Sequence, residues 1–177
     1  LDPDLDEPIH TVVIDTNDAF RDCVEAVLPA SLVVLAPTKL RELARGCVDK
    51  VKRKVFEGAS RTQRTHLAKA NKFFGTPRSA LNAQQKARHD LLASPAEKDE
   101  GLRRITTAYD KAEDFMDIYE ANTQCLAETK ARQWLHSMPA EIAPAFKPLE
   151  EALRKWWEPI LDWHSAEVAE EQLHPVR

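Results

Sequence analysis

The stretch TVVIDTNDAFRDCVEAVLPASLVVLAP, residues 11–37, decides the fold. Its first four residues are apolar or β-branched and run into a single aspartate, Asp15, which predicts a short buried strand near 11–15. From 17 to 28 the apolar positions Phe20, Val24, Val27 and Leu28 recur at intervals of three and four, so a helix follows and Pro29 ends it. The run SLVVLA predicts a second buried strand near 32–36. A strand, a helix and a strand within about 25 residues form one βαβ unit, with parallel strands and a right-handed crossover. Asp15 then poses a choice: a helix cap, or a carboxylate presented to a metal ion. Thr16 and Asn17 can cap equally well, so capping does not require Asp15.

Beyond Pro37 no further strand is predicted. Leu40, Leu43, Ala44, Cys47, Val48, Val51 and Val55 form one helical stripe that Gly58 ends, while Arg41, Arg45, Lys52 and Arg53 fall mainly off it. A helix through RTQRTHLAKANKFF leads to the break at Gly75, Thr76 and Pro77. Asn82 with Gln85 reads as a capping box opening AQQKARHDLLA. Ser94 and Glu97 repeat the device, with Pro95 at the first helical position. A long stripe follows through Leu102, Ile105, Tyr109, Ala112, Met116 and Tyr119, then a helix from 125 to 135 and a linker, SMPAEIAP. The last predicted helix carries Phe146, Leu149, Leu153, Trp156, Trp157, Ile160 and Trp163, with a kink near Glu158 imposed by Pro159. The expected fold class is mostly α with a small α/β part.

Composition narrows the function classes. The 43% hydrophobic and 31% charged residues are ordinary for a soluble chain, and only four glycines fit long helices. No window approaches the roughly 18 apolar residues of a membrane span. The acidic opening LDPDLDEP lacks a signal-peptide pattern and begins without methionine, which points to a cytoplasmic protein and a shortened or processed chain. Cys23, Cys47 and Cys125 each fall on a predicted apolar stripe and are expected as core thiols. His10, His66, His89, His136, His164 and His174 show no paired metal spacing. Trp156, Trp157 and Trp163 could stack on bases, but at helical spacing beside Leu153 and Ile160 they read as core. Phosphate loops, serine-nucleophile elbows and zinc-finger cysteine pairs are all missing from the sequence.

Charge is unevenly spread. The net charge is −4, yet residues 39–88 hold 14 basic and three acidic residues, a balance of +11, against −15 for the remainder. Such asymmetry points to a polyanion partner, or to an acidic half that covers a basic one. The candidate nucleic-acid contacts are Arg41, Arg45, Lys50, Lys52, Arg53, Lys54, Arg61 and Arg64.

The order of these pieces resembles the C-terminal part of bacterial insertion-sequence transposases of the DDE class, and particularly the ISL-three family. VVIDTNDAFRDCVEAVLP resembles that family's strand ending in a catalytic aspartate, with the helix that follows. KLRELARGCVDKVKRKV resembles the helix after the next strand, and LNAQQKARHDLL and EDFMDIYEA resemble parts of the inserted helical region. ALRKWWEPILDWHSAEV resembles the approach to the third catalytic residue. The resemblance implies a partial ribonuclease-H-like βαβ unit followed by a helical array. Its segments would be an acidic N-terminal stretch at 1–10, the α/β unit at 11–57, the helical insertion and final helix at 58–166, and a tail at 167–177.

It also implies chemistry. Three carboxylates hold two Mg²⁺ ions that activate an attacking oxygen and stabilise the leaving one in an in-line phosphoryl displacement. Asp15 matches the second carboxylate, as candidate catalytic residue and metal ligand. The first aspartate would precede Leu1, and Ala36, Pro37, Thr38, Lys39 and Leu40 replace the family's aspartate-phenylalanine-histidine-valine run. At the end, AEEQLHPVR stands where the third carboxylate belongs, with His174 near its position and Glu170 or Glu171 able to substitute only in a shifted register. The expectation is therefore a transposase-derived protein, non-catalytic in this form, with DNA as partner, self-association into a homo-oligomer and no stably bound Mg²⁺. The alternatives are a non-enzymatic helical module for self-association or protein binding, and an unrelated helical DNA-binding protein.

Overall fold

A computed structural model describes residues 9–71, 73–93 and 99–166 of the chain. The two predicted strands are present as β1 (Thr11–Ile14) and β2 (Leu32–Leu35), and α1 (Asp18–Val27) joins them. They pair in parallel, with Thr11 opposite Leu32 and Ile14 opposite Leu35. Among the described residues this pair is the whole sheet, and mostly helical structure follows, in agreement with the expected class.

The helices are α2 (Pro37–Gly58), α3 (Arg61–Asn71), α4 (Ala83–Ala93), α5 (Glu100–Met116), α6 (Gln124–His136), α7 (Ala143–Lys155) and α8 (Trp157–Leu161). Local chemistry explains most of their ends. Pro37 at the first position of α2 needs no N–H partner there. The box of Asn82 and Gln85 forms as expected, each side chain accepting the other's backbone N–H at 2.9 Å. A second box, Ser60 with Gln63, opens α3, and Asp99 and Thr123 cap α5 and α6. The predicted device at Ser94, Pro95 and Glu97 lies outside the described residues.

Two predicted helices divide differently. The segment expected as one helix to Phe74 ends at Asn71, and a 3₁₀ turn spans Phe73–Gly75. The final helix breaks at Trp156 rather than near Glu158. Proline at 159 withholds the N–H that would bond to Lys155 and crowds that carbonyl, so the interruption falls about one turn before the ring.

α2 is the spine of the molecule. Its buried side is Leu40, Ala44, Cys47, Val48 and Val51, as the stripe required, and it packs against α5 and α7. α5 runs antiparallel to it. A Cβ on Gly101 at the start of α5 would lie 2.7 Å from Val55 near the end of α2, and Tyr119 beyond α5 donates its hydroxyl to the Leu35 carbonyl just before α2. Phe115, Trp134 and Phe146 bring α5, α6 and α7 together through tilted and edge-on ring contacts. The same core reaches the sheet through Ile14, Leu35 and Leu161, and α8 lies on β2.

The structure corrects two burial expectations, those for the cysteines and the tryptophans. Only Cys47 is a core thiol, while Cys23 and Cys125 are exposed. On α1 only Val24 is buried, and Phe20 and Val27 stand in solvent. Trp156 is core as expected, whereas Trp157 and Trp163 are half-buried, Trp157 beneath the Arg132 guanidinium and Trp163 against Tyr119.

Candidate functional site

Asp15 sits where β1 ends, and its side chain is exposed. The cap of α1 is Asn17, whose Oδ1 accepts the Phe20 N–H at 3.2 Å, so Asp15 does not serve as the helix cap. Its carboxylate instead accepts from the backbone N–H and the hydroxyl of Thr16. The parallel pairing turns the carboxyl ends of both strands the same way, which is where open α/β sheets place their ligands. The C-terminal part of the chain returns to this end. Lys155 at the close of α7 pairs with Asp18, and Arg21 of α1 lies 4.9 Å from the Trp156 ring centroid. The 3₁₀ turn Asp162–His164 packs on β2. Burial pushes the His164 imidazole below its usual pKa, and its Nε2 has no hydrogen-bond partner among the described residues.

The described residues do not by themselves fit a two-metal centre. Such a centre holds its ions roughly 4 Å apart between several converging ligands. Among the described residues no group of three or more His, Cys, Asp or Glu side chains is placed to hold a metal ion. Glu170, Glu171 and His174 lie outside the described residues.

The basic block is distributed around α2 rather than collected on one face. At 3.6 residues per turn, Arg41, Arg45 and Lys52 stand within about 40° of one another, along one flank of the buried stripe. Lys50 and Lys54 follow the other flank, Arg53 faces outward, and Arg61 and Arg64 belong to α3. All but the half-buried Lys52 are exposed. Lys52 pairs with Asp49 at 3.3 Å, and Arg64 Nε donates to the Ala59 carbonyl at 3.0 Å. Arg41, Arg45, Lys50, Arg53, Lys54 and Arg61 make no ion pair among the described residues.

Part of the acidic remainder does answer the basic block, through an acidic ridge on α5. Asp110, Glu113, Asp114 and the adjoining Asp117 recur at three and four along DKAEDFMD, a pattern visible in the sequence that the charge totals conceal. Arg78 donates to Asp114 at 3.1 Å and to Asp117 at 2.7 Å, and its backbone N–H reaches Glu113. Burial disfavours the Arg78 charge, but Asp117 and Asp114 outweigh it and the guanidinium holds its proton more tightly than usual. His89 meets Asp110 at 2.6 Å, and burial raises the Asp110 pKa despite that partner. The ridge thus binds α4 and the 78–80 turn to α5, and leaves the α2 cations uncovered.

Between α2 and α5 lies a cleft of about 180 Å³. Arg41, Arg45 and Lys52 border it on the α2 side, Glu113 and Glu120 on the other, and Phe74, Tyr109 and Met116 contribute to its lining. The sequence picks out the three cations but not the cleft, because Phe74 and Glu120 reach it only through tertiary packing.

No helix of the described residues is long and apolar enough to cross a membrane. Neither the curated proteins nor the solved structures contain a match to this chain. A family model described as a transposase, of the DDE type and ISL-three class, matches residues 1–170. That match covers nearly the whole chain, collinear with the βαβ unit, the helical array and the returning C-terminal helices, and the chain belongs to the ISL-three family of DDE transposases.

Proposed function

We propose that this chain is a DNA-contacting, transposase-derived protein whose 177 residues do not complete a catalytic centre. The observation that carries this reading is the state of Asp15. It is an exposed carboxylate at the end of a parallel strand, released from capping by Asn17, with no cluster of further ligands among the described residues. In the family's chemistry Mg²⁺ supplies activation of the attacking oxygen and charge stabilisation at the leaving one. Asp15 would be one ligand to such an ion, held in place by β1 and oriented by Thr16. The α2 and α3 cations that make no ion pair among the described residues, Arg41, Arg45, Lys50, Arg53, Lys54 and Arg61, support contact with phosphate groups. Arg53, Lys50 and Lys54 face directions that a duplex can approach, and a protein that acts on bacterial DNA works in the cytoplasm.

The test is direct. Purified chain, incubated with plasmid DNA in Mg²⁺ or Mn²⁺, should neither nick nor join it, and Asp15→Ala should change nothing in that assay. Metal-dependent nicking that disappears in Asp15→Ala would overturn the non-catalytic reading.

A second reading is favoured by α1. Phe20, Cys23 and Val27 lie along one exposed side of that helix, and the outer edge of β1 has no backbone partner among the described residues. Both features fit self-association into a homo-oligomer through the α/β unit. Sedimentation at micromolar concentration decides it, with a strict monomer counting against this reading.

A further inference from the structure

We propose that the α2–α5 cleft is a subsite for an unpaired nucleotide of a DNA strand, its phosphates at the Arg41 and Arg45 rim and an amine-bearing base facing Glu120. The proposal rests on the DNA-contacting reading above and names the substrate class of one part of that surface.

Four observations converge. First, Arg41 and Arg45 are one turn apart, about 6 Å along the helix, and Lys52 lies about 10 Å further on. Lys52 is engaged by Asp49, which lines the same side of the cleft, so Arg41 and Arg45 are the pair offered to successive phosphates of a strand. Second, Arg41, Arg45 and Glu120 line the same cleft, yet none of the three makes an ion pair among the described residues. Opposite charges facing one space without meeting leave donors and acceptors for a ligand that carries both characters. Third, the space of about 180 Å³ is well below the roughly 300 Å³ at which drug-sized pockets begin, so it has room for one base and not for a larger ligand. Fourth, the acidic side excludes a duplex from the cleft. Duplex DNA carries a phosphate charge about every 1.7 Å, and a second backbone would be driven against Glu113 and Glu120.

The chemistry of the two sides then assigns the parts. Guanidinium groups suit phosphate oxygens, because their planar donors can take two at once. A carboxylate accepts from the exocyclic amine of cytosine, whereas thymine offers a carbonyl at the equivalent position. Glu120 is the free acceptor, since Glu113 already receives the Arg78 backbone N–H. Phe74, Tyr109 and Met116 provide an apolar lining against which the ring can rest.

Fluorescence anisotropy of the full chain at low salt tests this, using single-stranded oligo-dC, single-stranded oligo-dT and a duplex of equal length. Oligo-dC should bind about tenfold more tightly than oligo-dT, as one charge-assisted hydrogen bond would give. Glu120→Gln should abolish that preference. Arg41→Gln with Arg45→Gln should weaken both single strands and reduce the logarithmic salt slope by about 1.4, near 0.7 for each phosphate no longer neutralised. Ser79→Trp, at an exposed position bordering the cleft, should block single strands and leave duplex binding unchanged. Single-strand binding that ignores both Ser79→Trp and the arginine substitutions would overturn the subsite and leave the DNA-contacting reading intact. Absence of binding to duplex and single strand alike would overturn that reading, and the subsite with it. Displacement by free dCMP at the same nucleotide concentration would overturn the assignment to a strand.

Discussion

Helix α1 of the α/β unit and helix α5 of the helical array both carry apolar residues at helical spacing and bury them very differently. α1 places one of its ten residues, Val24, in the core, whereas α5 buries eight of seventeen. α1 lies over a sheet of two strands and has little surface to cover. α5 is held between α2, α4 and α6, and every turn of it meets a neighbour. The difference teaches that amphipathic pattern states what a helix can bury, while the number of packed neighbours sets what it does bury. In this chain the helix with the clearest amphipathic pattern is among the least buried, and it follows directly on the strand that runs into Asp15.

Truncations in the array should produce the largest effects. Phe146→Ala or Phe115→Ala, at side chains 1% and 0% exposed, should cost about 3–5 kcal/mol in urea unfolding. Phe20→Ala, the same change at a ring 48% exposed on α1, should stay within about 0.5 kcal/mol. Equal losses at Phe20 and Phe146 would break the comparison.

Gly101→Ala comes next. The new methyl would lie 2.7 Å from Val55 Cγ1, a β-branched side chain on a packed helix, so the α2–α5 crossing must widen. A loss of about 1–3 kcal/mol is expected despite the better helix propensity of alanine. A stabilised variant would mean that α5 can shift on α2 at little cost.

Asn82→Ala removes one half of the reciprocal box at the start of α4 and should cost about 1 kcal/mol by thermal unfolding. Gln85→Ala should lose less, because Asn82 can still accept the Gln85 backbone N–H.

The smallest effect is a dependence on pH at the sheet. Burial lowers the folded-state pKa of His164 below the 6.5 of the free side chain. A depressed base favours folding above its unfolded pKa, and the contribution is lost as pH falls through the folded value. Stability should therefore decline as pH falls below the ordinary histidine range, and His164→Gln should flatten that decline. An unchanged slope in His164→Gln would assign the decline to groups other than His164, and Asp110 is not one of them. Its raised pKa acts in the opposite sense, its contribution being present below 3.8 and lost as pH rises through the folded value.

Residues whose neighbours are close in sequence were legible in advance. TVVI and SLVVLA could only be strands between turn signals, and the 40–55 stripe could only be one face of a helix. The Asn82–Gln85 box needed no partner beyond itself. The pattern misleads where a residue's fate depends on distant segments. Cys23, Phe20 and Val27 carry the right pattern for a core, but among the described residues no segment arrives to cover them. Pro159 announced a break without fixing its place, because the clash falls on a carbonyl four residues earlier.

The functional surface divides in the same way. The sequence by itself determined that a carboxylate stands at the end of a β-branched run, that positive charge is concentrated in 39–88, and that the elements follow the transposase order. All three are properties of chain order and local composition. Only the tertiary structure decided that Arg78 and His89 leave the basic surface to join the α5 ridge, while Arg41 and Arg45 border a cleft with no ion pair among the described residues. Whether a charge is neutralised within the fold or offered to a ligand depends on which groups lie within about 4 Å of it, and over such distances Coulomb energies change by kcal/mol. For the cleft that proximity is set by the antiparallel packing of α5 on α2, whose contacts join residues 46 and 84 positions apart in the chain.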